Sequence, residues 1–315
     1  MHDDNNTFKV RFRGVRGSYA VPNSRFLGYG GNTACVEINV GGHLIVLDAG
    51  TGIISLGNDL MANYISSSPD PEKRTPISLN IFLSHIHTDH IQGLNFFNPI
   101  NIKSSKINIM GYSTGSEPLK ESLSELLYGR SFPLNLSDIK AKVTFNDLHE
   151  NDVVYLNECS DEPEITDQST KADVDFSENK VKITVMKSSS HPQNGVMLYK
   201  VEYKGKSLVY ATDKENYIGS DKRLALFARD CDLLIHDSQY TTQDYMSPVF
   251  SKQGFGHSTF EMAVEQAKIA HAKKLAFFHL DPTYDDEKLE CVEKYYIQKM
   301  DTAFIAREGQ EIVLL

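Results

Sequence analysis

The pattern of apolar and polar positions predicts strands and helices along most of the chain. In the segment 77–84 every second residue is apolar, which is the period of a strand that buries one face. In the segment 52–65 the apolar residues recur at helical spacing, which predicts a helix. Gly41-Gly42 joins the apolar runs 35–40 and 44–47 and is typical of a tight hairpin turn.

The same criteria predict strands and helices that alternate along the rest of the chain. Further strands are expected at 106–110, 181–186, 196–203, 207–211, 232–235 and 275–278. Further helices are expected at 117–127 and 285–300, and Ser258-Thr-Phe-Glu261 has the form of a capping box that opens a helix to about residue 271. The last residues, 303–315, are expected to form a hairpin.

Composition limits the classes of function. A chain of 315 residues that is 40% hydrophobic can bury a large core, in one sizeable domain or two modest ones. The net charge of −10 provides no basic field for a long nucleic acid, whereas a small anionic substrate is compatible with bound metal ions. The polar first residues and the absence of an apolar run near ~18 residues predict a cytoplasmic protein with no membrane span.

One segment differs from the rest in composition. Residues 157–180 are rich in Asp and Glu and poor in large apolar side chains, and their spacing fits no calcium-binding loop. Such a segment is expected to be a solvated, mobile surface loop. We therefore expect a single domain over residues 1–315, interrupted by an acidic surface insertion around 157–180.

The segment with the clearest chemistry is His85-Ile-His-Thr-Asp-His90, directly after the predicted strand 77–84. Imidazole and carboxylate are ligands of Zn, Mn or Fe, and their density on one tight loop allows one segment to reach two metal ions. The alternative is a histidine-rich surface turn, which explains a cluster at a strand end poorly.

Other residues of the same chemical types follow predicted strands elsewhere in the chain. Loops at strand ends on one rim of a sheet are where sites are built, so these side chains are candidates for the same site. Each one alone also fits a turn or a helix cap. They are Asp48, His191, Asp213, Asp237 and His279.

Taken in order, His85-x-His87-x-Asp89-His90, His191, Asp213 and His279 resemble the ligand set of the metallo-β-lactamase fold hydrolases. The resemblance covers nearly the whole chain. It implies an α/β protein with a four-layer αββα sandwich and a two-metal site on one edge.

The resemblance also implies a role for each matching residue. His85, His87 and His191 would hold the first metal, Asp89, His90 and His279 the second, and Asp213 would bridge both. Asp48 would organise the site loop without being a ligand. The ions would be two divalent transition metals, with Zn first and Mn or Fe as alternatives.

Local sequence discriminates within this superfamily. Gly256-His-Ser-Thr259 before a helix, with a carboxylate at Asp237, resembles the phosphodiesterase branch that includes the tRNA 3′-end nuclease ribonuclease Z. Asp89-His-Ile-Gln-Gly93 and Gly30-Gly-Asn-Thr33 are more similar to the bacterial and phage cyclic nucleotide phosphodiesterases of this fold. The resemblance therefore implies hydrolysis of a cyclic nucleotide or similar small cyclic phosphodiester by a metal-bridging hydroxide.

Roles for the remaining candidates follow from this chemistry. Asp89 would steer the hydroxide and accept its proton, and His257, held by Asp237, would contact a phosphate oxygen or protonate the leaving alkoxide. Asn32 and Thr33 would hydrogen-bond near the phosphate, or would only shape the turn after Gly30-Gly31.

Two alternative functions and a homodimeric assembly are also compatible with the sequence. A tRNA-processing endonuclease is the main alternative, although the acidic balance suits it poorly. A diiron oxidoreductase is a more distant one, since that branch resembles His-x-Glu-x-Asp-His and this chain has His87 in place of the Glu. The family resemblance also suggests a homodimer.

Overall fold

The computed structural model of the protein describes residues 6–112, 117–129, 132–157, 160, 162–167, 180–217 and 219–315. Within these ranges the strands form two mixed sheets. The first sheet has the order β15 (Glu311–Val313), β1 (Phe8–Gly14), β2 (Cys35–Val40), β3 (His43–Leu47), β4 (Ser78–Leu83), β5 (Lys106–Gly111) and β6 (Lys142–Asp147).

The second sheet begins and ends with short strands. Its order is β14 (Ala303–Ile305), β13 (Leu275–Phe278), β12 (Leu233–Asp237), β11 (Lys206–Ala211), β10 (Val196–Tyr203), β9 (Val181–Ser188), β7 (Asp152–Leu156) and β8 (Glu164–Asp167). The α-helices are α1 (Ile53–Ser67), α2 (Thr88–Ile91), α3 (Leu119–Tyr128), α4 (Lys222–Phe227), α5 (Thr242–Tyr245), α6 (Phe260–Ile269) and α7 (Asp286–Ile297).

Alternation along the strands divides the apolar residues between two cores. In β4, Phe82 points between the sheets, where its ring centroid lies 5.4 Å from that of Tyr199 in β10. The neighbouring Leu79, Ile81 and Leu83 point the other way and pack with α1 and α3. In β13 the same alternation directs Phe277 toward Phe260 of α6 and leaves Phe278 between the sheets.

These layers are helix, sheet, sheet and helix, so the predicted αββα sandwich is confirmed. The predicted burial of Ile77, Leu79, Ile81 and Leu83 against one core is also confirmed. Among the described residues, no helix is both long enough and apolar enough to cross a membrane.

The predicted hairpin at 303–315 is wrong. β14 pairs with β13 in the second sheet, and β15 pairs with β1 in the first, so the two strands never pair with each other. The intervening residues cross from one sheet to the other, with Gly309 N donating to Phe12 O. Local sequence cannot distinguish such a crossing from a turn, because the two differ only in which distant strand accepts the pairing.

Two further expectations need correction. The helix α6 is capped by Thr259, whose side chain accepts from Met262 N, and the hydroxyl of Ser258 instead bonds Lys214 O and Asn216 N. Within the acidic insertion, Glu164–Asp167 forms the edge strand β8 on β7 rather than a loop. Residues 158–159, 161 and 168–179 of that insertion lie outside the described residues. The single-domain boundary 1–315 stays a prediction.

Candidate metal centre

The residues predicted as metal ligands converge between the ends of the two sheets. His85 and His87 follow β4, Asp89 and His90 lie in α2, His191 follows β9, Asp213 follows β11, and His279 follows β13. Their ligand atoms form groups in which all atoms lie within 4.8 Å of one another, and such groups can hold a metal ion. They include His85, His87 and His191; His85, His90 and Asp213; and Asp89, His90 and His279.

Asp213 faces two halves of this cluster with different oxygen atoms: the first half contains His85 and His191, and the second contains His90 and His279. Its Oδ2 lies 3.6 Å from His85 Nε2 and 3.7 Å from His191 Nε2. Its Oδ1 lies 3.1 Å from His90 Nε2 and 3.3 Å from His279 Nε2. A carboxylate in this position can therefore contact two cations at once.

Four buried histidines of the predicted ligand set turn the same ring nitrogen, Nε2, toward the centre. Each is within hydrogen-bond distance of an oxygen through Nδ1: His85 with Ser84 Oγ, His90 with Asp48 Oδ2, His191 with Gly256 O and His279 with Gln239 Oε1. When Nδ1 donates to such an oxygen, the lone pair of the neutral imidazole lies on Nε2. These contacts thus favour the tautomer that a metal ion requires.

Burial and charge act oppositely on the histidines of the two halves. Burial lowers the pKa of His85 well below its usual value and lowers those of His87 and His191, which favours neutral imidazoles. Burial also lowers the pKa of His279, but Asp213, Asp89 and Asp237 outweigh it and raise that pKa to about 9. The pKa of His90 is also raised well above its usual value, because Asp213, Asp89 and Asp48 outweigh burial.

The donor set fits a metal site. Buried carboxylates in the half around His90 and His279 require compensating positive charge. In the other half, His85 Nε2 is buried and has no hydrogen-bond partner among the residues that the structure describes, so a buried lone pair faces the centre. Nitrogen and oxygen donors of this kind suit divalent transition metals.

The backbone is unusual where the site residues leave their strands. Asp48, Asp213 and His279 have φ values of 59°, 48° and 58°, in the left-handed region that L-residues rarely adopt. Each therefore turns the chain sharply at the end of a strand and directs its side chain inward. Asp48 accepts from Ser84 N at 2.7 Å and Tyr210 OH at 2.8 Å, contacts that suit its predicted role as an organiser of the site loop.

The predicted catalytic pair, His257 and Asp237, lies beside His279 in the second half of the cluster. His257 Nδ1 is 2.7 Å from Asp237 Oδ2, and the His257 ring stacks on His279 with centroids 4.9 Å apart. Asp237 also accepts from the backbone N–H groups of Ser258 and Gln239 through Oδ1. The pairing of His257 with an acidic partner is therefore present, and Asp237 is held from several sides.

Asn32 and Thr33 are placed differently from the catalytic pair. The amide of Asn32 donates to Glu308, and the buried hydroxyl of Thr33 accepts from Thr51 N at 2.9 Å. Neither residue lines the cavity at the centre. These contacts favour the alternative that the pair shapes the turn.

The sequence analysis did not identify Ser18 and Gln239, which contact predicted ligands. Ser18 N donates to Asp89 Oδ2 at 2.7 Å, and Gln239 bonds His279. Ser18 gives no local signal, because it approaches Asp89 only through the fold. Gln239 lies two residues after the predicted site residue Asp237, and this proximity in sequence could have identified it.

A cavity of about 610 Å³ opens from the centre. Its walls include His85, His87 and Asp89 at the metal-binding end and Glu117 and Glu125 farther out. Among the described residues, no lysine or arginine lines it.

Comparison with known proteins gives the same fold. The family model described as the beta-lactamase superfamily domain matches residues 43–280. A ribonuclease Z of Prochlorococcus marinus (strain MIT 9515) is 29% identical over 239 residues, covering 66% of this chain and 72% of that protein. A ribonuclease Z of Picrophilus torridus is 25% identical over 330 residues, covering 97% and 95%.

Solved structures agree with the family match. The metallo-beta-lactamase fold protein YhfI from Bacillus subtilis superposes with a TM-score of 0.63 at 18% identity, over 98% of this chain and 100% of that one. The family model covers well over half of the chain, and the His and Asp clusters fit a metal site. The protein therefore belongs to the beta-lactamase superfamily and is a metal-dependent hydrolase with the metallo-β-lactamase fold.

Proposed function

We propose that this protein hydrolyses a small phosphodiester, with cyclic nucleotides as the leading class, at a centre of two divalent transition-metal ions. The observation that carries this proposal is the position of Asp213, whose two oxygens face two separate sets of histidines. One set, His85, His87 and His191, would hold the first ion. Asp89, His90 and His279 would hold the second, with Zn as the first choice and Mn or Fe as alternatives.

Such a pair of ions, when bound, supplies hydroxide at neutral pH and neutralises charge on the phosphate. The protein supplies the positioning. Asp89 lines the cavity, and its carboxylate would orient the attacking water and accept its proton. Asp237 holds Nδ1 of His257, which leaves Nε2 to contact a phosphate oxygen or to donate a proton to the leaving oxygen.

The volume and the charge of the cavity favour a small substrate. Its volume of about 610 Å³ is within the usual range for small-molecule sites. The carboxylates of Glu117 and Glu125 would repel a chain of phosphates, and the net charge of −10 opposes binding of a long polyanion.

A second candidate is processing of tRNA 3′ ends, and one observation favours it. The relatives in Prochlorococcus marinus and Picrophilus torridus are both named ribonuclease Z, and the alignment with the latter covers almost the whole of both chains. Both candidates use the same chemistry and differ in the size of the substrate. The homodimer and the cytoplasmic location stay predictions under either one.

The deciding experiment offers both substrate classes to the same protein. Purified protein loaded with Zn or Mn is incubated with a panel of 3′,5′- and 2′,3′-cyclic nucleotides and, separately, with precursor tRNA. We expect ring opening of at least one cyclic nucleotide and slow or no cleavage of the tRNA. Cleavage of tRNA alone would replace the proposal with the second candidate. Asp213→Ala serves as the control, since it removes the residue common to both halves.

A further inference from the structure

Glu215, two residues after Asp213, makes an unusual set of contacts. Its Oε1 accepts from Tyr245 OH at 2.5 Å and from Gly254 N at 2.7 Å, and its Oε2 accepts from Gly256 N at 2.9 Å. One half-buried carboxylate therefore attaches the segment 246–256, called the 246–256 loop, to the strand end that carries Asp213. Hydrogen bonds to an ionised acceptor are roughly twice as strong as neutral ones.

The 246–256 loop makes few other hydrogen bonds to the rest of the protein. Apart from the contact of Gly256 O with His191, its remaining hydrogen bonds among the described residues run within the loop or to the adjacent helix α5, as in Met246 N to Thr242 O and Lys252 N to Tyr245 O. Val249 and Phe250 are exposed and do not anchor it in a core. The carboxylate of Glu215 is therefore the main polar link between this loop and the centre.

The last residue of the loop contacts the metal-binding cluster. The carbonyl of Gly256 lies 3.2 Å from His191 Nδ1, and its amide is the group held by Glu215. Gly256 has a φ of +90°, and a Cβ there would lie 2.3 Å from His191 Nδ1, so backbone and ring are in close contact. A shift of the Gly256 backbone would move the carbonyl acceptor that keeps Nε2 of His191 free for a cation.

We propose that Glu215 is a positioning residue for the metal centre. It holds the backbone N–H of Gly256, and the carbonyl of the same residue sets the orientation and tautomer of His191. The inference rests on the proposed role of His191 as a ligand. Groups that orient a ligating histidine typically change metal affinity by about 10–100-fold when they are removed.

The test measures zinc affinity directly. Metal-free protein competes with a chromophoric chelator for Zn, and hydrogen exchange reports on the amides of Gly254 and Gly256. For Glu215→Ala we expect zinc binding about 10–100-fold weaker, with faster exchange at both amides. Glu215→Gln keeps one acceptor oxygen and should fall between Glu215→Ala and the wild type, and it carries the test if the alanine variant does not fold.

Two controls separate the possible outcomes. Tyr245→Phe removes one donor to Glu215 but leaves the bond to Gly256, and its zinc affinity should match the wild type. His191→Ala should weaken zinc binding at least as much as Glu215→Ala. If His191→Ala weakens binding and folded Glu215→Ala or Glu215→Gln does not, the positioning role is overturned while the ligand assignment stands. If His191→Ala binds zinc normally, the ligand assignment itself fails, and this inference fails with it.

Discussion

Replacement of His257 by alanine tests the proposed chemistry most directly. The imidazole is tied through Nδ1 to Asp237 and stacks on His279, so Nε2 is the nitrogen left for substrate. Removal of the ring leaves Asp237 with the backbone N–H groups of Ser258 and Gln239, at 2.9 and 3.2 Å. Because this buried carboxylate keeps two donors, we expect the variant to fold and to bind metal.

The expected loss follows from the role assigned to the ring. A positioned acid or base contributes about 10²–10⁴-fold to a rate. At about 1.36 kcal/mol for each tenfold change, the barrier should rise by about 3–5.5 kcal/mol. The loss should appear in kcat for a diester whose leaving group is an alkoxide. A p-nitrophenolate leaving group needs no proton, so bis(p-nitrophenyl) phosphate should lose much less.

The assay compares both substrates on matched proteins. Metal content is measured by elemental analysis, and kcat is measured for a cyclic nucleotide and for bis(p-nitrophenyl) phosphate. Equal losses on the two substrates would refute proton donation and leave only a contact with the phosphate. Loss of metal from His257→Ala would instead reassign His257 as a ligand, since it also lies near His191 and Asp213.

Three further predictions concern the scaffold of the site and the fold. Asp48→Ala leaves buried donors of Ser84, His90 and Tyr210 without an acceptor, at about 1–3 kcal/mol each, so urea denaturation should show a loss of several kcal/mol; an unchanged midpoint would contradict this. Gly17→Ala places a Cβ 2.4 Å from the ring of His279 and should weaken zinc binding in chelator competition, whereas wild-type affinity would show that the ring can move freely. Burial raises the pKa of Asp232, but Lys273, the Ser207 amide and Lys206 outweigh burial and bring this pKa below its usual value. The contribution of Asp232 to stability is therefore present above an unfolded pKa of about 4 and is lost as pH falls through the lower folded pKa. Asp232→Asn should therefore be less stable than the wild type at pH 7 and no less stable near pH 2, and an equal deficit at both pH values would argue against this pair of lysines.

The sequence alone predicted most of the candidate site because its residues have local signals. Most of them lie at or shortly after the end of a predicted strand, and a strand end is visible from periodicity without knowledge of the fold. His85, His191 and His279 could therefore be selected although they are far apart in the chain, and the structure brings them together. The apolar alternation around Ile81 likewise predicted the residues of β4 that pack on the helices, although the opposite face of β4 is buried too, with Phe82 between the sheets.

Tertiary structure alone decided the contacts that connect distant segments. Three of these contacts lack a local signal: β14 and β15 pair in different sheets, Ser258 bonds Lys214 and Asn216, and Glu215 attaches the 246–256 loop. The physical reason is that a hydrogen bond satisfies whichever donor and acceptor the packing of the layers brings within about 3 Å. Local pattern determines which residues end a strand, and the packing of two sheets determines which of those ends meet.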